Sequence, residues 1–180
     1  MGVDSKYRRE SGKNNSAAAA RRSASINETI KDRYVCGKLL GSGGFSNVFM
    51  CFDCNDSCKK YAMKTEVLER SGIKLLEREK QVLLRIRAYS TSQTLEHLPL
   101  IVDHGIHNGQ FSFLILPMLG MSLRKLVNIS DINLSFKQIL QISINILKPI
   151  EELHSCSFIH RDIKPANYLF SFDFDPSNHL

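Results

Sequence analysis

The sequence contains no tryptophan and only five prolines among its 180 residues, and it has no long apolar run. Its longest apolar stretch, residues 111–121, is interrupted by a serine, a proline and a glycine, whereas a membrane-spanning helix needs about 20 consecutive apolar residues. The sequence also lacks the apolar segment and small-residue cleavage site of a secretory signal peptide. From these absences we expect no membrane partner and a cytoplasmic location, with the nucleus as the alternative.

The five cysteines do not form the pattern of a disulfide framework or of a structural zinc site. Cys51, Cys54 and Cys58 follow a C-x2-C-x3-C spacing, but no fourth ligand follows at the distance that zinc fingers use. Cys36 and Cys156 lie far from this group in the sequence. An odd number of cysteines without a signal peptide is typical of reduced thiols, so we expect neither disulfides nor bound zinc.

Positive charge is concentrated at the start of the chain. Residues 1–33 hold eight Lys or Arg against four Asp or Glu, while the remainder holds sixteen against fourteen. This first segment is rich in alanine, serine and asparagine, and it has too little apolar surface to offset the entropy that is lost on ordering. We therefore expect residues 1–33 to form a disordered basic tail, and we expect no nucleic-acid partner.

Residues 34–119 contain several β-prone runs and one helical segment, which is typical of a compact unit with both strands and a helix. Two short β-prone runs flank a glycine-rich turn, and a third run follows the turn residues around Asn55. Over residues 73–87, apolar residues recur at helical spacing between charges, which predicts an amphipathic helix. Two more runs complete the order β-β-β-α-β-β. The five strands are expected near residues 34–40, 47–52, 60–65, 100–102 and 111–116.

Residues 120–180 are mostly helical in pattern. Residues 135–155 predict a long helix that is apolar on two sides, so it should be buried on several sides. Pro149 lies inside this helix, removes one backbone donor and predicts a bend. We expect the second apolar side to stay exposed in this chain. The first side carries Ile139, Leu140, Ile144, Leu147 and Ile150, and the second carries Ile142, Ile146 and Leu153.

The glycine turn is the first candidate for chemistry. Gly41, Gly43 and Gly44 let a backbone approach phosphate oxygens closely and adopt positive φ, so the turn can cover the phosphates of a nucleotide with its N–H groups. A dinucleotide-binding turn would open a helix, but the residues that follow this one are strand-like. Taken alone, the turn slightly favours a plain glycine hairpin.

Lys64, at the end of the third strand, is the second candidate. A strand lysine can hold the α- and β-phosphates of a nucleotide if a carboxylate anchors its flexible side chain. Glu79 lies fifteen residues later and shares the apolar stripe of the predicted helix, because Val82 and Ile86 follow it by three and seven residues. Glu77 is the alternative partner, but its position fits a solvated face better.

The most specific string is H-R-D-I-K-P-A-N at residues 160–167. Asp162 can accept a hydroxyl proton, Lys164 can neutralise a migrating phosphoryl group, and Asn167 can supply an oxygen ligand to Mg²⁺. The string resembles the catalytic loop of protein kinases, H-R-D-x-x-x-x-N. A chance surface loop is a weak alternative, because the string follows a glycine turn and a strand lysine in the order of this family.

The resemblance runs from about residue 34 to the end of the chain and is closest to the casein kinase 1 group, including its tau-tubulin kinase branch. It includes the run L-P-M-L-G-M-S-L at residues 116–123, which is similar to the hinge of that group. The resemblance implies that Leu116 guards a back pocket and that adenine bonds the carbonyl of Pro117 and the N–H of Leu119. The residues that would sandwich adenine, each of which also fits simple core packing, are Leu40, Val48, Ala62 and Leu169.

The resemblance also implies an activity. The protein would be a serine/threonine protein kinase that uses ATP and Mg²⁺ to phosphorylate protein hydroxyls. Asp162 would be the catalytic base, Lys164 the phosphate-steering residue and Asn167 a metal ligand. Lys64 and Glu79 would form the activating pair. No covalent intermediate is implied, because positioning and charge neutralisation carry this reaction.

The implied fold is α+β. A five-stranded antiparallel sheet with one helix would form the small, ATP-binding lobe over residues 34–119. Residues 120–180 would hold the first helices and the catalytic loop of an incomplete large lobe.

The sequence departs from the family pattern at three points. Ser46 stands where the glycine turn of the family has its third glycine, and Pro149 lies in the helix that supports the catalytic loop. The D-F-G motif is not matched, because the D-F-D at residues 173–175 follows Asn167 too soon and lacks the glycine. We therefore expect a truncated kinase that is inactive as this fragment. The alternative is a non-catalytic nucleotide-binding or interaction fragment.

Overall fold

The computed structural model describes residues 22–68, 74–90, 95–129 and 134–173. The strands are β1 (Thr29–Ile30), β2 (Tyr34–Ser42), β3 (Asn47–Asp53), β4 (Asp56–Val67), β5 (Asp103–His107) and β6 (Phe111–Pro117). The helices are α1 (Leu75–Tyr89), α2 (Leu123–Val127) and α3 (Phe136–Ser155), and a 3₁₀ turn spans Pro165–Asn167.

The strands form one antiparallel sheet in the order β1-β2-β3-β4-β6-β5. The predicted α+β fold is confirmed, but the described residues form a sheet of six strands rather than five. The additional strand, β1, lies in the segment that the sequence predicts to be disordered. Ala24 and Ile30 explain the difference, because both are buried in an apolar cluster on one face of the sheet. The predicted tail is therefore wrong for residues 22–33, while residues 1–21 lie outside the described residues.

Polar contacts also hold the segment before β1 in place. Two bonds of 2.8 and 2.9 Å join the Arg22 guanidinium to the Glu28 carboxylate, and they hold the pKa of Glu28 below its ordinary value. The hydroxyls of Ser23 and Thr65 lie 2.9 Å apart, which ties the segment to β4. Local charge pairing thus orders a stretch whose composition favours disorder.

β5 begins at Asp103, three residues after the expected start of the strand predicted near residues 100–102. The apolar run at residues 100–102 precedes β5, and Ile101 is buried in the cluster that packs against α1. The carbonyl of Ile101 accepts a bond of 3.0 Å from the Arg87 side chain. β5 itself is polar and pairs with β6 along its whole length. The apolar pattern here marked core residues rather than the paired strand.

Alternation along β4 gives the sheet two different faces. Tyr61 and Met63 are buried on the face that the segment before β1 covers. Ala62, Lys64 and Glu66 belong to the opposite face, where Lys64 and Glu66 both bond to α1. The part of this second face near Ala62 stays partly exposed.

Both long helices lie close to their predicted bounds. The pattern over residues 73–87 predicts α1, and Ile73 lies outside the described residues. The pattern over residues 135–155 predicts α3, which begins directly after Ser135 in a capping box. α3 continues through Pro149, and the bend at this residue stays a prediction.

The exposed side of α3 is the opposite of the one that the sequence predicts. Leu153 is buried at 7% exposure and belongs to the same apolar cluster as the inward side of α1. Ile142 and Ile146, on the same side, are partly buried. Most of the other stripe is open to solvent, with exposures of 47% for Ile139, 48% for Leu140, 54% for Ile144 and 63% for Leu147, while Ile150 is partly buried.

Glu152 attaches α3 to the loop that follows α1. Its carboxylate accepts the backbone N–H groups of Glu96 at 3.1 Å and His97 at 3.0 Å, and it lies 2.5 Å from Nδ1 of His97. Burial raises the pKa of Glu152, but the bonds from His97 and Glu96 outweigh it and leave the pKa below its ordinary value. The carboxylate is therefore ionised at neutral pH and joins α3 to the loop that follows α1.

The cysteines are free thiols. Cys36 and Cys51 are buried opposite each other on β2 and β3, and burial raises their pKa values to about 11 and about 12. Cys54 and Cys58 are exposed. Across the described ranges, no helix is long and apolar enough to cross a bilayer.

A short antiparallel contact joins the chain after β6 to the chain after the 3₁₀ turn. The N–H of Gly120 donates to the carbonyl of Phe170 at 2.9 Å, and Ser122 and Leu169 form an isolated bridge. Ser122 also caps α2 by accepting a bond from the N–H of Lys125. A methyl group on Gly120 would lie only 2.3 Å from the carbonyl oxygen of Ser171, so this contact requires glycine.

We predict that Gly120→Ala destabilises the protein by about 1–3 kcal/mol, because the added methyl forces two backbones apart. Urea denaturation of the variant and of the parent chain measures the difference. Gly44→Ala is the control, since no atom lies within 4 Å of a Cβ added at Gly44. Equal losses of stability in the two variants would contradict the close approach.

Candidate active site

A partly exposed apolar surface surrounds Lys64 on the second face of the sheet. Val48 lies opposite Lys64 in the β3–β4 register, and Ala62 lies opposite Leu116 in the β4–β6 register, so all four share one face. Leu40 is 40% exposed, and Val48 and Ala62 are only partly buried. This exposure disfavours simple core packing for these residues. The surface can accept a flat apolar group.

The glycine turn connects β2 and β3 as a tight hairpin. The N–H of Gly43 donates to the carbonyl of Ser46 at 2.8 Å, and Ser42 Oγ donates to Asn47 Oδ1 at 2.7 Å. A Cβ at Gly41 would meet no atom within 4 Å. The three turn glycines do not use the positive φ expected of them, since Gly109 is the glycine with positive φ among the described residues. Their contribution is open space beside the backbone.

A cavity of about 520 Å³ lies between the glycine turn and the start of α1. Gly43, Gly44, Glu66 and Lys74 are among its lining residues. Lys64 does not line it. The cavity therefore leaves the tip of the turn unpacked.

Lys64 pairs with Glu79 across the space between β4 and α1. Lys64 Nζ donates to Glu79 Oε2 at 2.6 Å, and both side chains are partly exposed, at 28% and 36%. Glu77, the alternative partner, pairs with Lys80 on its own helix at 2.7 Å. The structure thus places Glu79 beside the strand lysine, while Glu77 pairs with a lysine of its own helix.

The string H-R-D-I-K-P-A-N forms an exposed loop that ends in the 3₁₀ turn. Asp162 Oδ2 accepts bonds from Lys164 Nζ at 2.7 Å and from Asn167 Nδ2 at 3.0 Å. Asn167 Nδ2 also donates to the carbonyl of Asp162 at 2.7 Å. Arg161 holds φ at 64°, which is strained for a residue with a side chain. The loop conformation is therefore fixed by the three predicted residues themselves.

The contacts of Asp162 determine its charge. The bond from Lys164, then that from Asn167, lowers the pKa of Asp162 below its ordinary value. Its side chain is 59% exposed. Asp162 is therefore ionised at neutral pH, and its side chain is open to solvent.

The predicted hinge lies at the end of β6. Pro117 is opposite Tyr61 in the β4–β6 register, and Leu119 precedes Gly120, whose N–H bonds to Phe170. This pairing brings Leu169, which is 49% exposed, beside the chain that follows the hinge. The described residues show no hydrogen bond or ion pair between the catalytic loop and either Lys64 or the glycine turn. The short backbone pairing is one of the contacts that connect this loop to the sheet.

One buried acidic residue close to Lys64 is absent from the residues that the sequence singled out. Glu66 follows Lys64 by two positions on β4 and is only 8% exposed. Its carboxylate accepts the N–H groups of Leu75 and Leu76 at the start of α1. The available signal was the strand period of two, which places a carboxylate at this position on the Lys64 face.

A family profile described as the protein kinase domain matches residues 34–177. The matched range includes the glycine turn, Lys64, Glu79 and the loop at residues 160–167. The chain belongs to the protein kinase family. The family prediction made from the loop and its preceding motifs is therefore confirmed.

Curated relatives narrow the family. A protein of Encephalitozoon cuniculi (strain GB-M1), whose name describes a casein kinase I homolog, is 34% identical over 142 residues, or 78% of this chain and 42% of that protein. A Caenorhabditis elegans protein named for casein kinase I is 29% identical over 142 residues, or 77% of this chain and 39% of that protein. The casein kinase 1-like prediction is confirmed, and the tau-tubulin kinase branch stays a prediction.

A second C. elegans protein, named for serine/threonine-protein kinases, is 29% identical over 142 residues, which cover 79% of this chain and 39% of that protein. The kinase chain described here thus spans about two fifths of the length of the curated relatives that it matches.

The contacts of Asp162 lead to a prediction about its titration. Lys164→Met should raise the pKa of Asp162 toward its ordinary value, because the bond that lowers it most is lost. Carboxyl ¹³C chemical shifts, followed by NMR from neutral to acidic pH, give the midpoint. Lys148→Met, an exposed lysine on α3, is the charge-matched control and should leave the midpoint unchanged. An unchanged titration midpoint of Asp162 in Lys164→Met would contradict the bond between Lys164 and Asp162.

Proposed function

We propose that this chain forms the ATP-binding lobe and catalytic loop of a serine/threonine protein kinase, which transfers the γ-phosphoryl of ATP to hydroxyl groups of protein substrates. The observation that carries the proposal is the 2.6 Å pair between Lys64 and Glu79, on the same face of the sheet as Val48 and Ala62. A carboxylate that holds a strand lysine beside an apolar surface suits a ligand with both a ring and phosphates.

The geometry supports nucleotide binding at three places. The apolar surface of Leu40, Val48 and Ala62 would contact adenine, together with Leu169. The carbonyl of Pro117 and the N–H of Leu119 offer the acceptor and donor that an adenine edge requires. The open space at Gly41 leaves room for phosphate oxygens to approach the backbone, and Lys64 would neutralise part of their charge.

Asn167 fits a role as one ligand of Mg²⁺. Its Nδ2 donates to Asp162, which leaves Oδ1 as the oxygen that would hold the ion. Mg²⁺ in phosphoryl-transfer sites usually keeps several waters and substrate phosphate oxygens, so a single amide oxygen can serve beside a bound nucleotide. The described part of the chain contains no group of three or more His, Cys, Asp or Glu that could hold a metal alone.

Asp162 and Lys164 would act on the substrate hydroxyl. Both side-chain contacts to Asp162 use Oδ2, so Oδ1 would accept the hydroxyl hydrogen and orient the oxygen for attack. Asp162 would take the proton as the new bond from oxygen to phosphorus forms and the bond to the leaving ADP breaks. Lys164, already 2.7 Å from Asp162, would neutralise negative charge near the moving phosphoryl group.

We predict that the chain binds Mg-ATP weakly and that Lys64→Met lowers the affinity about tenfold or more, because a charge-assisted bond to phosphate is lost. Isothermal titration calorimetry measures both affinities. Lys59→Met, an exposed lysine of the same strand, is the matched control and should bind like the parent. Absence of binding by the parent at millimolar nucleotide would overturn the proposal.

The same preparations separate binding from transfer. Radiolabelled ATP is offered with a library of serine- and threonine-containing peptides, and any labelling by the parent should be lost in Asp162→Asn, which should still bind Mg-ATP. If the parent binds Mg-ATP without labelling any peptide, these residues act as a nucleotide-binding unit and not as a kinase by themselves.

We also predict that Gly41→Ala lowers Mg-ATP affinity without reducing stability. The added methyl meets no protein atom within 4 Å, but it would occupy the space that the phosphates need. Thermal melting measures the stability of the variant, and calorimetry on the same sample measures its affinity for Mg-ATP. A parent-like affinity in a stable variant would show that the nucleotide does not lie over this turn.

A further inference from the structure

Glu66 is a buried carboxylate that joins β4 to the first turn of α1. It is 8% exposed. Its Oε1 accepts the N–H of Leu75 at 3.1 Å, and its Oε2 accepts the N–H of Leu76 at 3.0 Å. A buried carboxylate is costly unless it is well hydrogen-bonded, and here both oxygens are bonded to backbone donors.

These two bonds replace a cap that the helix does not supply for itself. The first N–H groups of any α-helix lack partners within the helix. Lys74, at the N-cap position of α1, makes no side-chain capping bond. The carboxylate of a neighbouring strand therefore caps the helix, and its negative charge lies at the positive end of the helix dipole.

The spacing of the contacts links Glu66 to the Lys64–Glu79 pair. Lys64 and Glu66 are two residues apart on β4, so they lie on one face, about 7 Å apart along the strand. Glu79 follows Leu75 and Leu76 by four and three residues, or about one helical turn and 5 Å of rise. The strand thus holds α1 at two points, which lie about 7 Å apart along the strand and about 5 Å apart along the helix axis.

The other anchors of α1 lie toward its C-terminal end. Leu83 and Ile86 are buried in the second apolar cluster, and Arg87 bonds to the carbonyl of Ile101. Near the N-terminus, the contacts to the sheet include those of Glu66, of Leu76, which is 2% exposed, and of the Lys64–Glu79 pair itself. Apolar packing allows a helix to slide or rotate more readily than a pair of directed bonds does.

We propose that Glu66 is a positioning residue, which fixes the rotation and height of α1 on the sheet and thereby keeps Glu79 on Lys64. The consequence for ATP binding rests on the function proposed above, but the effect on the Lys64–Glu79 contact does not. We expect no direct contact between Glu66 and the nucleotide. It acts only through the helix.

The first test is made without nucleotide. Glu66→Gln replaces one carboxylate oxygen by nitrogen and removes the charge, while the shape of the side chain is kept. We expect weaker NMR cross-peaks between the Lys64 and Glu79 side chains. We also expect the amide hydrogens of Leu75 and Leu76 to exchange faster with solvent. Glu77→Gln removes a carboxylate from the same helical turn without touching β4, so it should change neither. A folded Glu66→Gln protein with parent-like Lys64–Glu79 cross-peaks would overturn the proposal.

A second variant tests the proposal even if the Glu66→Gln protein does not fold. Leu75→Pro removes one of the two donors to Glu66, and proline is well tolerated at the first position of a helix. The variant keeps the buried carboxylate and its bond to Leu76. It should weaken the same Lys64–Glu79 cross-peaks, and unchanged cross-peaks here would also contradict the proposal.

The third measurement is a double-mutant cycle on Mg-ATP affinity. We expect Glu66→Gln and Glu79→Gln each to lower the affinity about tenfold, and the double variant to be no weaker than Glu79→Gln alone, because the first residue acts through the second. Additive losses would show that Glu66 acts by another route. If the parent does not bind Mg-ATP, the proposed function fails while the cross-peak experiment still decides the role of Glu66.

Discussion

The ion pair between Lys64 and Glu79 is the interaction on which the candidate site depends. Lys64 belongs to a strand whose register is set by two neighbours, while Glu79 belongs to a helix that touches the sheet on one side only. The pair exists only while α1 keeps its place on the sheet. A partly exposed pair contributes little stability on its own, so its geometry must be maintained by the surrounding buried contacts.

The second constraint is the backbone pairing near Gly120. It joins the end of the small lobe to the segment that follows the catalytic loop, and it leaves no room for a side chain at Gly120. Together with the attachment of Glu152 to the loop after α1, it fixes the large-lobe segments against the sheet. The position of Asp162 relative to the sheet thus depends on contacts that are distant from Asp162 itself.

Local patterns explain most of the correct predictions. Helical spacing predicts the bounds of α3 closely, and short β-prone runs beside turn residues predict the central strands. The catalytic loop follows from its residue types, since Asp162, Lys164 and Asn167 bond to one another within a few residues of chain. The errors arose where long-range contacts decide the outcome. Ala24 and Ile30 fold against the sheet, and Leu153 rather than Leu147 is buried, because only the assembled cluster distinguishes the two sides of α3.

The sequence alone therefore determined the family, the order of the elements and the residues of the catalytic loop, because each depends on short-range patterns or specific strings. Only the tertiary structure decided that six strands of the described residues form the sheet and that Glu66 caps α1, and only it shows the contact between Lys64 and Glu79, the partner that the helical stripe had favoured. The physical reason is common to all three. Each depends on a partner distant in the sequence, and burial removes the water that would otherwise satisfy the polar groups involved, so their bonds are settled only when the strands and helices pack together.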